Sequence, residues 1–194
     1  MTSEGLWSRA RRDAVAQIVD VAMNLFLDKG FEATTFDDIA AAAGVSRRSV
    51  FRYFGTKEDI VLGGLSGDGA RVAAALAGRP DDEPVWQSLL AVLTEIDQEP
   101  ADHERLLKIS EMMYGTPSLR ARSVEKHLQW RADLLPEVKR RLKTGDLRAG
   151  TVIAAAIACL DSAGEEWTRL RGSVPLRDLL AAAFGAVSDL GGAG

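Results

Sequence analysis

Little in this sequence is equipped for covalent or metal chemistry. The single cysteine, Cys159, rules out an internal disulfide and leaves no thiol pair for redox work. It sits in the apolar run VIAAAIACL, where a thiol is buried and inert rather than nucleophilic. The two histidines, His103 and His127, are far apart, and neither has a second ligand spaced to build a zinc site. A Gly-x-Ser-x-Gly elbow and a His-Glu-x-x-His pair are both missing, so the expectation is no enzyme, no metal and no cofactor. Apolar runs stop short of membrane-spanning length, and residues 1–8 lack the apolar stretch of a secretion signal, which points to a cytoplasmic protein. Excess positive charge is missing too. With a formal net charge of -4 and a pI near 5.3, no global basic field draws the chain onto nucleic acid. Neither strand alternation nor an internal repeat is found, and the reading is all-α.

What is present is a globular composition, 46% hydrophobic and 27% charged, in a chain of 194 residues that suffices for one core or two small ones. Its most informative stretch is TFDDIAAAAGVSRRSVFRYFGTK, residues 35–57. Thr35 followed three residues later by Asp38 reads as a capping box opening a helix from Phe36 to about Ala43, and Gly44 supplies the positive φ that ends it. Ser46 is an N-cap for a second helix, Arg47 to about Tyr53, with Val50 and Phe54 four apart and facing inward. Two short helices joined this way form a helix-turn-helix, whose second helix enters the major groove. No acidic residue falls between Asp38 and Glu58, whereas Arg47, Arg48, Arg52 and Lys57 do. Such a cluster supplies phosphate contacts, and Ser46 and Ser49 add short donors. A solvated basic face on an ordinary helical protein is the alternative.

At these residues the chain resembles the tetracycline-repressor (TetR) family of bacterial transcriptional regulators. The resemblance rests on Gly30-Phe31, Thr34-Thr35, Ile39-Ala40, Gly44-Val45-Ser46, Tyr53-Phe54 and Lys57-Glu58, and covers roughly Asp13 to Leu62. It implies DNA contacts from Thr35, Arg47, Arg48, Ser49, Arg52, Tyr53 and Lys57, to which Ser46 is added from its position. One departure stands out: Phe51 replaces the usual tyrosine, so a phosphate contact made by that hydroxyl is absent.

Elsewhere the chain reads as helices. The first runs from about Arg9 to Lys29, with Val15, Ile18, Val19, Ala22 and Phe26 on one stripe and Gly30 as its stop. Residues 1–8 read as disordered. Arg9, Arg11 and Arg12 form a basic lead-in that suits a phosphate backbone or minor groove, or simply a solvated terminus. After Thr56 a fourth helix is expected to reach Ala77, kinked or thinned by Gly63, Gly64, Gly67 and Gly69, each costing up to roughly 1 kcal/mol against alanine. Residues 77–84 are the clear linker. Pro84 opens a helix to about Glu99 carrying Val85, Leu89, Val92, Leu93 and Ile96; Asp102 or its neighbour caps a short helix ending at Tyr114-Gly115; Thr116-Pro117 opens a longer one that Pro136 should kink or break. Trp86, Met112, Met113, Tyr114 and Trp130 lie on these helices, where soft and aromatic side chains line apolar cavities or pack a core.

The last two helices, about Ala149 to Leu170 and Leu176 to Leu190, carry apolar arcs too wide for a terminal hairpin with one neighbour. The resemblance implies that they dimerise as a four-helix bundle, placing Leu160, Trp167, Leu179, Leu180, Ala183, Phe184 and Val187 at the interface. The stretches CLDSAGEEWTRL and LRDLLAAAFGAV also resemble the body of actinobacterial regulators that bind acyl-CoA-like ligands. The expectation is therefore a cytoplasmic all-α homodimer with a helix-turn-helix head in residues 1–56 and a ligand-binding and dimerisation body in 57–194. Its partners would be a palindromic double-stranded DNA operator and a small-molecule effector that releases it, with no membrane. The rival is an α-helical carrier or enzyme with an incidental basic helix.

Overall fold

A computed structural model describes residues 3–65, 69–96 and 103–192, and side chains within 13–63, 69–95 and 103–190. Ten helices are described: α1 (Ser3–Lys29), α2 (Phe36–Ala42), α3 (Arg47–Tyr53), α4 (Lys57–Leu65), α5 (Gly69–Ala77), α6 (Val85–Ile96), α7 (His103–Gly115), α8 (Pro117–Leu142), α9 (Asp146–Arg169) and α10 (Leu176–Gly192). No strand occurs among the described residues. The chain divides into two compact units, Met1–Ser66 and Gly67–Gly194. Helix α4 thus groups with α1 to α3, beyond the 56/57 boundary read from the sequence.

In the first unit, α1 turns Ile18, Ala22, Met23 and Phe26 inward and packs on α2, with Ile39 and Ala40 buried, and on α4, with Ile60, Val61 and Leu62 buried, while α3 buries Val50 and packs on α2. Helix α1 begins at Ser3 rather than near Arg9, so residues 3–8 are helical, contrary to the expectation. The side chains of Arg9, Arg11, Arg12 and Ile96 lie outside the described residues, as do Gly67, Glu99 and Asp102.

The fourth helix expected up to Ala77 is described as α4 and α5, one in each unit, and residues 66–68 between them lie outside the described residues. Gly69 opens α5 for a packing reason. A Cβ there would stand 2.9 Å from Trp130 Cδ1 and 3.1 Å from Trp130 Cα, so only glycine lets α5 approach α8 this closely.

The second unit packs α5, α6, α8, α9 and α10 around Val72, Leu76, Leu89, Val92, Trp130, Leu134, Val138, Ile153, Ala156, Leu180 and Phe184. Helix α8 continues through Pro136, which was expected to kink or break it. Both Pro136 and Ala132, whose carbonyl loses its amide partner, are on the exposed face, where water replaces the missing bond. Helix α9 is long and apolar enough to cross a membrane by composition, yet Ala149, Ile153, Ala156, Ile157, Ala163 and Trp167 bury it within this unit.

Residues 77–84, read as a linker, are fastened down by arginines. The Arg141 side chain is only 2% exposed, and all five of its N–H groups are used. Nε donates to Glu137 Oε1 (2.9 Å), Nη1 to the Pro80 carbonyl (3.0 Å) and Ser88 Oγ (3.3 Å), and Nη2 to the carbonyls of Leu76 (2.8 Å) and Arg79 (2.5 Å). Beside it Arg79 forks onto Glu83, which also accepts from the Ser88 hydroxyl; Arg79 first, then Ser88, holds the Glu83 carboxyl down to about 2. Arg140 bridges Asp81 and Glu137.

Removing the Arg141 fork strips a charge-assisted donor from the part-buried carbonyls of Leu76 and Arg79 and leaves Glu137 to Arg140 alone. Arg141→Ala should therefore lower the stability of this unit by about 3–5 kcal/mol in urea unfolding. Arg141→Lys should recover little, because one ammonium cannot reach acceptors spread around a planar fork.

Candidate nucleic-acid and effector sites

The helix-turn-helix is built by local capping. Thr35 Oγ1 accepts from the Asp38 amide (3.1 Å), while Asp38 Oδ2 accepts from the Thr35 amide (2.8 Å) and hydroxyl (2.7 Å). Lys29 Nζ adds an ion pair to the same oxygen at 2.8 Å. The Lys29 ammonium first, then the Thr35 donors, holds the Asp38 carboxyl well below the usual carboxylate range. Helix α2 ends in a Schellman motif: Gly44 at φ +66° donates to the Ala41 carbonyl (3.3 Å) and Val45 to that of Ala40 (3.0 Å). Ser46 then caps α3, its hydroxyl accepting from the Ser49 amide (3.1 Å) and pairing with Ser49 Oγ (2.9 Å). Val50 and Phe54 are buried beneath α3.

This frame turns a basic face outward, and the eight residues singled out from the sequence divide by what holds them. Arg48 is exposed, with no bonding partner found among the described residues. Arg47 is exposed and pairs with Asp37 at 3.3 Å, and Arg52 is exposed and donates to the Tyr53 hydroxyl at 3.1 Å. Tyr53 is half-buried. The hydroxyls of Thr35, Ser46 and Ser49 are engaged in caps. Lys57 departs most from expectation: rather than pointing free toward solvent, its ammonium donates to the carbonyls of Phe31 (2.7 Å), Thr34 (2.9 Å) and Glu32 (3.5 Å).

Phe51, noted in the sequence only for its lost hydroxyl, is 44% exposed on α3. Its ring stacks on Phe36 with centroids 4.2 Å apart, and the Arg47 guanidinium lies 5.4 Å from its centroid. Alternation of a solvent-facing position with buried Val50 and Phe54 was the available signal, and the pairing with Phe36 was not visible in it.

In the second unit the ligand candidates do not form one cluster. Trp86 packs on Phe184 (centroids 4.3 Å) and its Nε1 donates to the Phe184 carbonyl at 3.3 Å, tying α6 to α10. Met112 and Met113 are half-buried on α7. Tyr114 and Trp130 are linked through α9 and His127. The Tyr114 hydroxyl donates to the Asp161 carbonyl at 3.4 Å, His127 Nδ1 lies 3.4 Å from Asp161 Oδ2, and the His127 ring meets Trp130 edge-on at 5.9 Å. Burial first, then the Asp161 and Glu165 carboxylates, pushes the Tyr114 phenol up. Trp130 is 3% exposed, and its Nε1–H is buried with no hydrogen-bond partner among the described residues. A buried donor left bare costs about 1–3 kcal/mol. Burial raises the Cys159 thiol above its ordinary value, which keeps it in the unreactive form.

The expected dimer residues are also redistributed. Trp167, Leu180 and Phe184 face the core of their own protomer, and Leu160, Leu179 and Ala183 are half-buried against it; of the seven, Val187 reaches solvent. Bulky side chains pack inward because they release the most apolar surface from water. The outward faces of α9 and α10 carry the small residues Ala154, Ala158, Ala181, Ala182, Gly185 and Ala186, together with Leu147, Leu190 and charged side chains.

Capped helices presenting arginines from a small helical unit, followed by an all-helical body, define a helix-turn-helix DNA-binding transcriptional regulator. The chain belongs to the TetR family: residues 18–63 match the family described as bacterial regulatory proteins of the tetR family, and residues 83–190 match the MftR C-terminal domain. It is 34% identical over 193 residues, 96% of each chain, to a Mycobacterium tuberculosis protein provisionally named as the mycofactocin biosynthesis transcriptional regulator MftR. Its fold is similar to that of NalD from Pseudomonas aeruginosa, the secondary repressor of the MexAB-OprM multidrug efflux pump (TM-score 0.58, 19% identity, 90% of this chain and 95% of that one). It is similar as well to that of the fatty acid degradation regulator FadR from Bacillus halodurans (TM-score 0.57, 20% identity, 89% and 93%).

Proposed function

We propose that this regulator is a cytoplasmic homodimeric repressor, not an enzyme, which leaves a palindromic operator when an apolar, acyl-chain-bearing effector enters its body. The observation that carries the operator reading is the outward basic face of α3, framed by caps on both sides of the turn. Arg48 is the base-reading candidate because no partner among the described residues holds it, with Arg47, Arg52, Ser49 and Tyr53 beside it. A twofold dimer would set its two α3 helices about 34–36 Å apart, one turn of DNA.

The effector reading draws on the bare Trp130 indole N–H among apolar helices, on Tyr114 and the half-buried methionines near it in sequence, and on the name of the FadR neighbour. The dimer reading draws on the small-residue outer faces of α9 and α10, which permit close helix approach.

Selection of duplexes from a random library should return an inverted repeat bound in a salt-dependent way. Arg48→Ala should then cost about 1–3 kcal/mol and relax specificity at one position in each half-site. A library that yields no preferred duplex would remove the operator reading, and an Arg48→Ala protein with unchanged specificity would remove Arg48.

Gly185 has open space around the position of a Cβ, so Gly185→Arg should leave the protomer folded and helical while converting the dimer to a monomer in light scattering. Phe184→Asp, by contrast, should unfold the body, since Phe184 is buried within the protomer. A wild-type monomer at micromolar concentration would end the dimer reading.

Long-chain acyl-CoA thioesters should release the selected duplex and change tryptophan emission over one concentration range, with a coupling of about 1–3 kcal/mol. Release by a small hydrophilic compound alone, with flat fluorescence, would overturn the apolar effector and leave the operator reading standing.

A further inference from the structure

Lys57 is the first residue of α4, and the sequence placed its charge in a cluster expected to meet phosphates. Its surroundings describe another task. An ammonium has three N–H donors, and three carbonyls of the segment joining α1 to α2 surround this one: Phe31 at 2.7 Å, Thr34 at 2.9 Å and Glu32 at 3.5 Å. The same nitrogen lies 4.6 Å from the centroid of the buried Phe31 ring. The segment is held from its other side as well, because the Thr34 hydroxyl donates to the Gly30 carbonyl at 2.8 Å and Gly30 takes φ +93°.

Thr34 immediately precedes Thr35, the N-cap from which α2 starts, and α3 packs on α2. Helix α4 is itself fixed at its start by Thr56 and Asp59, which exchange amide bonds of 3.1 and 3.2 Å. One half-buried charge therefore joins the beginning of α4 to the beginning of α2. Turning that ammonium out to a phosphate would strip charge-assisted bonds from carbonyls that no other described donor covers.

We infer that Lys57 is a positioning residue: its ammonium locks the first turn of α4 to the α1–α2 connection, and so sets where α2 and the recognition helix α3 stand, instead of neutralising a phosphate. The inference rests on α3 being the DNA-reading helix.

The two roles separate by salt and by arginine. A direct phosphate contact contributes about 0.9 to the slope of log K against log salt, and an arginine serves it at least as well. A planar guanidinium cannot place three N–H groups around a single nitrogen position. The full-length protein, with a duplex selected by the wild type, is therefore compared with Lys57→Met and Lys57→Arg from low to high salt. Both variants should bind about tenfold more weakly at every salt concentration, the loss of roughly one charge-assisted bond, with the wild-type slope retained. A flattened slope in Lys57→Met together with full recovery in Lys57→Arg would overturn the inference, as would a folded Lys57→Met of unchanged affinity. Should the variants not fold, nitrogen-15 spectra of the wild-type lysine side chains decide. The Lys57 ammonium should be protected from exchange in the free protein and unmoved by the duplex, and a signal that appears or shifts only with DNA would refute the role. A wild type that selects no duplex would remove the inference together with its premise.

Discussion

The second unit depends on one buried guanidinium. Burying a guanidinium is tolerable only if each of its N–H groups finds an acceptor. Those acceptors come from the end of α5, the segment that follows it, α6 and its own helix α8. The orphan carbonyls at the end of α5 are satisfied by the same group that fixes the connecting segment, and the flanking Arg79–Glu83 and Arg140–Asp81 pairs narrow its freedom further. The apolar core formed by Leu76, Leu89, Val138 and Ile153 can then close around elements whose ends are already in register.

The head was legible in the sequence almost to the residue. Its boundaries are written in contacts of three or four residues: Thr35 with Asp38, Gly44 with Ala41, Ser46 with Ser49. Such signals need no tertiary context. The carbonyl partners of Lys57 were not legible for the opposite reason, since they lie 23 to 26 positions upstream and are main-chain atoms that leave no mark on the sequence. The Arg141 latch escaped for the same reason, and residues 77–84 looked like a loose linker because composition reports polarity and not the partners polar groups find.

The body was legible as helices but not as faces. Periodicity located apolar stripes on α9 and α10, yet both helices are apolar around much of their circumference, and the stripe alone does not say which side meets the core. Side-chain packing shows it for three of the residues placed at the interface: Phe184, Leu180 and Trp167 are buried within their own protomer, while Ala154, Ala182, Gly185 and Ala186 are exposed. Pro136 was likewise overweighted. A proline on the solvent face of a long helix loses one bond to water, which a helix packed along its other side absorbs.

The Lys57 clamp also bears on how little of this chain can stand alone as a head. A fragment ending at Thr56 keeps every capping contact of the helix-turn-helix but loses the donor for the Phe31, Glu32 and Thr34 carbonyls, and with it the buried Ile60, Val61 and Leu62 that close the underside of α1. A head cut from this chain would therefore have to extend through α4, the helix that the 56/57 boundary had placed with the body.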